Sequence, residues 1–201
     1  MKAVKIVLVG SSHAGKTSIV NRYVYSKFTP HTVPTNQPAF AEKKLSFRDV
    51  DLSLEIWDTA GQERYHALCP LFYRDAEAGI VVFDVTDGDS FEKAKTWVQE
   101  LKMARGDNIH VVVAGNKADL KDKRCVSLPE AQQLAKSINA NYFETSAKSG
   151  ENVENLFSSI CQYVVNKLSS LELISIEPRI SKSLKNNIQF EDDNSRQKSC
   201  C

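Results

Sequence analysis

The chain has 201 residues, with 26 basic against 25 acidic side chains, a formal net charge of +1, 42% hydrophobic residues and five cysteines. That length suits one globular domain able to bury about 70% of its unfolded surface, with residues left over for a tail. A balance so near zero argues against nucleic-acid binding through phosphates, which needs a concentrated basic patch, and no apolar run reaches the roughly 20 residues of a membrane-spanning helix.

The first ten residues mix lysines with an apolar run, as a signal peptide does, but Lys5 interrupts the run and it is too short. Residues 4–9 therefore read as a buried strand, and the protein as intracellular. Gly10-Ser11-Ser12-His13-Ala14-Gly15-Lys16-Thr17 follows at once and fits G-x-x-x-x-G-K-[ST], with a helix opening behind it. Gly10 and Gly15 let the backbone curl so that successive N–H groups face a polyphosphate, and the helix N-terminus adds its positive dipole end. Lys16 is expected to reach the β- and γ-phosphates and the Thr17 hydroxyl to ligate Mg²⁺. The phosphate-binding set runs on through Ser18. His13 reads better as a solvated position that contributes only backbone than as a catalytic imidazole.

Two apolar stretches at 40–47 and 52–57, joined by a short charged segment, predict an antiparallel hairpin. The second ends in Asp58-Thr59-Ala60-Gly61-Gln62-Glu63. Asp58 stands about 40 residues after Lys16, the spacing of a Walker-B-like aspartate that holds the metal through water. Gly61 lets its N–H approach a γ-phosphate, and Gln62 is placed to orient an attacking water. Read structurally, the same string is a surface loop with an Asp cap.

Further apolar strands at 79–85 and 109–115 alternate with helical stretches. Phe91, Ala94, Val98 and Leu101 share one helical face, Ser127-Leu128-Pro129-Glu130 has the spacing of a capping box, and Val153, Leu156, Phe157, Ile160, Val164 and Leu168 mark a last amphipathic helix. This alternation predicts βαβ units and a mostly parallel sheet. Asn116-Lys117-Ala118-Asp119 closes the 109–115 strand, at the carboxyl edge where open α/β sheets bind ligands. A carboxylate there accepts hydrogen bonds from guanine N1–H and N2–H₂, whereas adenine offers an acceptor at N1 and no amino group at C2. Asp119 thus selects guanine. In isolation the string would be a turn with an Asx cap; beside a phosphate loop it reads as a base selector. Cys69, Cys125 and Cys161 are scattered and suggest neither a zinc site nor a redox pair. From Ser169 the periodicity stops, and 169–201 reads as a flexible tail with no second domain.

With these motifs in order, residues 4–168 resemble the Ras-like small GTPases, and Ile56-Trp57-Asp58-Thr59-Ala60-Gly61-Gln62-Glu63-Arg64-Tyr65 is similar to the Rab form in particular. The resemblance implies an α/β fold, a three-layer P-loop NTPase G domain over 1–168. Its six-stranded, mostly parallel sheet would have one antiparallel strand and about five helices. It implies GTP and GDP as ligands, Mg²⁺ as cofactor, and Thr35 as the switch threonine that joins the metal when a γ-phosphate is present. Phe28 would flank the guanine ring. In Glu144-Thr145-Ser146-Ala147-Lys148, Ser146 and Lys148 would support the pocket and the Ala147 N–H would meet the base oxygen. Phe40, Trp57 and Phe72 match the aromatic triad that Rabs show to effectors, although periodicity alone would assign them to the core.

The terminal Cys200 and Cys201 resemble the Rab double-cysteine end that takes two geranylgeranyl groups, enough for stable anchoring where one chain is marginal. From residue 166 on, six basic residues face five acidic ones, so electrostatics adds little to such an anchor. By the same resemblance the partners are an exchange factor, a GTPase-activating protein, effectors and a GDP-dissociation-inhibitor-type chaperone. The protein would be a monomer on the cytoplasmic face of intracellular membranes, with a cytosolic pool. Asn36-Gln37-Pro38-Ala39-Phe40 and residues 66–75 are similar to a small early-endosomal branch. Pro38 departs from the usual switch, and Ser12 stands where many relatives have glycine, which implies slow hydrolysis. Two other readings stay open: a scaffold that holds GTP with negligible hydrolysis, and a phosphate-loop kinase, against which the guanine selector weighs.

Overall fold

A strand can be apolar at successive positions only if both faces of its sheet are covered, and the central strands of this chain show that pattern. The computed structural model describes residues 1–30, 35, 37–59 and 72–188, with 107 and 172–188 as backbone. β4 (Ala78–Asp84) is buried at every position, and β5 (His110–Asn116) at every position but its first. β1 (Lys2–Val9) is buried along its second half. β2 (Ala39–Phe47) is largely exposed, as suits an edge strand, and β3 (Val50–Asp58) lies beside it. β6 (Asn141–Glu144) forms the other edge.

The six strands lie in the order β2-β3-β1-β4-β5-β6. β2 and β3 are antiparallel, as their hairpin predicts, and the other pairs are parallel. From β1 the chain returns on one side to β3 and then crosses to β4 on the other, so the strand order reverses at β1. Its carboxyl end is thereby the topological switch point where such sheets hold ligands. Register does the rest: Leu8 pairs with Asp58, and Asp84 with Asn116. Both carboxylates and the asparagine therefore reach the same edge as the glycine loop.

The helices follow the predicted stripes. α1 (Lys16–Tyr25) starts from Gly15 and ends at Ser26 in the left-handed region, φ 56°. α2 (Gly88–Arg105) is capped by the Asp87 carboxylate, which accepts from the Asp89 and Ser90 N–H groups, and it buries Phe91, Ala94, Trp97, Val98 and Leu101. α3 (Leu128–Ser137) has the predicted capping box: the Ser127 hydroxyl accepts from the Glu130 N–H at 3.4 Å while the Glu130 carboxylate accepts from the Ser127 N–H at 2.9 Å. α2 and α3 cover one face over a core of Val7, Val9, Val81, Phe83, Val111 and Val113. Alternate residues such as Ile6, Leu8 and Ile80 are also fully buried, on the other face. There Tyr23 of α1 stacks on Phe157 with ring centres 3.7 Å apart.

Four α-helices lie among the described residues, close to the five expected. The last, α4 (Val153–Ile188), buries Val153, Leu156, Phe157, Ile160 and Val164 as predicted. Its backbone runs past Ser169, where the loss of periodicity had suggested irregular chain. Periodicity reports an apolar face, whereas hydrogen bonding from turn to turn along a helix backbone needs none, so the helix can continue where the stripe stops. One compact unit comprises Met1–Val164, and a second begins at Val165.

Candidate functional site

At the end of β1, Gly10 has φ +140°, and a Cβ there would lie 2.0 Å from the Val82 carbonyl oxygen. No other residue fits. Gly15 has φ +92°, and its Cβ would lie 2.3 Å from Asn116 Nδ2, so the glycine loop and the end of β5 touch at this point. Asn116 Nδ2 donates to the Ala14 carbonyl at 2.8 Å. The Lys16 side chain is only 5% exposed; its ammonium lies across the loop and donates to the Gly10 and Ser11 carbonyls at 2.9 and 3.0 Å. Ser11 is buried, Ser12 half-buried and His13 exposed, the last with φ 64°. Alternating left-handed residues in such a loop turn backbone N–H groups toward one side, which is an anion-binding shape.

Next to the loop, three oxygen-bearing side chains converge from separate segments. Thr17 Oγ1 donates to Asp58 Oδ2 at 2.6 Å, and Thr35 Oγ1 lies 2.6 Å from the same hydroxyl. Asp58 is 2% exposed, and its Oδ1 is buried with no partner among the described residues. Burial raises its carboxyl above the ordinary carboxylate range, against the opposing pull of the Thr17 hydrogen bond and the Lys16 charge. An ionised carboxylate with one orphan oxygen, flanked by two hydroxyls, is a set of hard donors that a small divalent cation would stabilise. The residues thus fit Mg²⁺. Gly61 and Gln62, expected at the γ-phosphate, lie outside the described residues.

On the other side of Gly15, Phe28, Thr29, Pro30, Asn116, Lys117, Asp119, Leu120, Ala147 and Lys148, with His13, Gly15 and Ser18, line a cleft of about 390 Å³. That is within the range of nucleoside-sized pockets. Asn116 Oδ1 accepts from the Ala147 N–H at 3.2 Å and from Thr145 Oγ1 at 3.4 Å. One buried side chain therefore joins the phosphate loop to the loop after β6. Lys117, at φ 67°, sends its ammonium to Asp84 Oδ2 at 2.6 Å. Asp119 Oδ1 accepts from Ser146 Oγ at 2.6 Å, and Lys148 Nζ lies 3.9 Å from its Oδ2. A carboxylate has about four acceptor sites, so Asp119 keeps most of its capacity for the edge of a base.

Phe40 and Trp57 face each other across the β2–β3 pair. Their rings meet edge-on at 5.3 Å, and Phe72 lies 5.9 Å from Trp57. Phe40 is 53% exposed while Trp57 and Phe72 are half-buried, so the three form one aromatic surface that is partly core. Pro38 stands just ahead of β2, where a strand tolerates a missing N–H. Asn36, Cys200 and Cys201 lie outside the described residues.

Sequence reasoning missed two supports. Asp84 anchors Lys117, and the only sign of it was its position at a strand end. Arg22 of α1 donates to the Ala147 and Lys148 carbonyls at 2.8 and 2.6 Å, and no motif marks it.

The Ras family profile matches residues 5–166. Among curated proteins, Ras-related protein Rab-21 of Mus musculus is 46% identical over 161 residues, covering 80% of this chain and 72% of the relative. The Rab-21 protein of Homo sapiens is 45% identical over the same coverage. That of Dictyostelium discoideum is 41% identical over 174 residues, 87% of this chain and 82% of the relative.

Proposed function

The chain belongs to the Ras family and is a Rab-type small GTPase, a GTP hydrolase, and from that premise we propose how its residues divide the work of a membrane-anchored switch in vesicle traffic. The observation that carries the reading is the Asn116 side chain, bonded at once to Ala14 of the phosphate loop and to Ala147 of the base loop. It makes the phosphate and base subsites one unit.

In this reading Asp119 accepts from guanine N1–H and N2–H₂, the Ala147 N–H donates to the base oxygen, and Phe28 flanks the ring over the stem of Lys117. The backbone N–H groups from Ser11 to Ser18 hold the phosphates together with Lys16. Thr17, Thr35 and, through water, Asp58 would hold Mg²⁺, which would supply positive charge to offset that of the phosphates. Gln62 orients a water for in-line attack on the γ-phosphorus, and the bond to the β–γ bridging oxygen breaks to leave GDP and phosphate. Thr35 would join the metal, and the Gly61 N–H would meet the γ-phosphate, only while that phosphate is there, so its loss releases both switch segments. Exchange factor, activator, effectors and a GDP-dissociation-inhibitor-type chaperone act on these states, with effectors meeting Phe40, Trp57 and Phe72. A scaffold that holds GTP without hydrolysis is not favoured, because the family is one of GTP hydrolases.

Gln62→Leu tests the chemistry. Single-turnover phosphate release in the presence of an activating protein is expected to fall about 10- to 100-fold. Equal rates for the two proteins would remove Gln62 from its assigned role.

The anchor is a separate part of the reading: Cys200 and Cys201 carry two prenyl groups that hold the G domain, 1–168, at a membrane through the 169–201 segment, and the compartment is the early endosome. In cells, the tagged full chain is expected on internal membranes and a form lacking both cysteines in the cytosol. Membrane association of the truncated form would exclude the double-cysteine anchor.

A further inference from the structure

Arg22 sits in the last turn of the helix that the phosphate loop opens, about 9 Å along the axis from Lys16. Its guanidinium reaches out of that helix to a loop 125 residues away in sequence. Nε donates to the Ala147 carbonyl at 2.8 Å and Nη2 to the Lys148 carbonyl at 2.6 Å, so one edge of the fork takes two successive carbonyls. The remaining arm is turned to its own helix end, with Nη1 3.4 Å from the Ser26 carbonyl. The stem lies against the same loop, since a Cβ on Gly150 would meet Arg22 Cδ at 3.8 Å.

These bonds bear on the placement of one N–H. A peptide unit is planar, so the Ala147 N–H lies in the plane of the Ser146 carbonyl, and the loop that carries it is fixed when that plane and the next are both held. The plane before Ala147 is held through the Ser146 carbonyl, which accepts from the Gly150 N–H at 2.8 Å. The plane after it is held by Arg22 through the Ala147 carbonyl. On the reading of Ala147 as the donor to the base oxygen given above, on which this step rests, we infer that Arg22 is a positioning residue for guanine recognition: from the helix that follows the phosphate loop it holds in place the loop whose Ala147 N–H, 3.2 Å from Asn116 Oδ1 in the structure, would meet the oxygen on C6. A lysine could not take both carbonyls, because an ammonium is a point donor while the guanidinium is a rigid fork.

The test separates this role from general loosening of the loop. Dissociation constants are measured for GDP, for IDP, which lacks the 2-amino group seen by Asp119, and for 6-thio-GDP, which keeps that edge but presents a weakly accepting sulfur at C6. In the unaltered full chain both analogues bind more weakly than GDP. In Arg22→Ala, GDP affinity is expected to fall about 10-fold and the preference for GDP over 6-thio-GDP to shrink about 5-fold or more, while the preference over IDP stays the same. Arg22→Lys is expected to give an intermediate 6-thio ratio, and it carries the test if Arg22→Ala does not fold. Both ratios moving together, or neither moving, would overturn the role of Arg22. A GDP-to-IDP ratio near one in the unaltered protein would instead overturn the guanine site itself.

Discussion

Asp119→Asn is expected to lower GTP affinity about 10³-fold and to raise affinity for xanthosine triphosphate by a similar factor. The carboxylate is an acceptor on both oxygens, and guanine offers two donors on its N1–C2 edge. An amide keeps one acceptor and turns a donor toward the second donor of the base, which leaves two N–H groups facing each other. Xanthine has a carbonyl at C2, so the amide would meet an acceptor where guanine has an amino group. The local frame should survive the change. Ser146 Oγ, 2.6 Å from Asp119 Oδ1, can donate to an amide oxygen as well as to a carboxylate. Lys148, whose ammonium is 3.9 Å away and whose side chain is 66% exposed, loses little because a long, solvated pair contributes little. Equilibrium binding of both nucleotides to the two proteins, at one fixed Mg²⁺ concentration, reads the result. GTP affinity within a factor of three of the unaltered protein would remove Asp119 from the base.

Gly10→Ala is expected to cost about 3–5 kcal/mol, a large share of the about 5–15 kcal/mol by which an ordinary domain is stable. Two costs combine. The backbone at φ +140° is open to glycine and carries about 1–3 kcal/mol of strain for any other residue. The added methyl would also lie 2.0 Å from the Val82 carbonyl oxygen, and that oxygen belongs to β4, a fully buried strand beside β1. The sheet cannot yield there without opening its own centre. Gly88→Ala is the control, since a Cβ at Gly88 meets nothing within 4 Å. It is expected to change stability by no more than about 0.5 kcal/mol. Urea denaturation of the GDP complexes, followed by circular dichroism, should give a transition near that of the unaltered chain for Gly88→Ala and one at much lower urea for Gly10→Ala. A cooperative transition for Gly10→Ala near that of the unaltered chain would show that β1 and β4 can separate at this point.

How far the sequence alone reached depends on the kind of interaction. β1, β4 and β5 were legible because strands buried on both faces need unbroken apolar runs. The phosphate loop was legible because Gly10, Gly15, Lys16 and Thr17 each answer to a separate geometric demand at a fixed spacing. Asn116 and Asp119 were legible from the chemistry of guanine, but the two hydrogen bonds of the Asn116 side chain, donated to Ala14 and accepted from Ala147, were not, because they join loops 102 and 31 residues distant. Arg22 was invisible for a related reason. Its partners are backbone carbonyls, which every residue has, so no pattern of side chains points to them. Trp57 was ambiguous because one ring does two things: it is half-buried in β3 and still meets Phe40 and Phe72 at the surface. α4 outran its predicted stripe because the backbone bonds of a helix run from turn to turn and need no apolar period.

The most direct test of the account is a competition at equilibrium on the unaltered full chain, with labelled GDP displaced by GTP or by ATP in Mg²⁺. One site that joins the phosphate loop to a guanine-selecting carboxylate requires GTP to displace the label near stoichiometric concentration and ATP to need about 10⁴-fold more. Displacement by ATP at concentrations comparable to GTP would contradict it, because Asp119 would then not face the base.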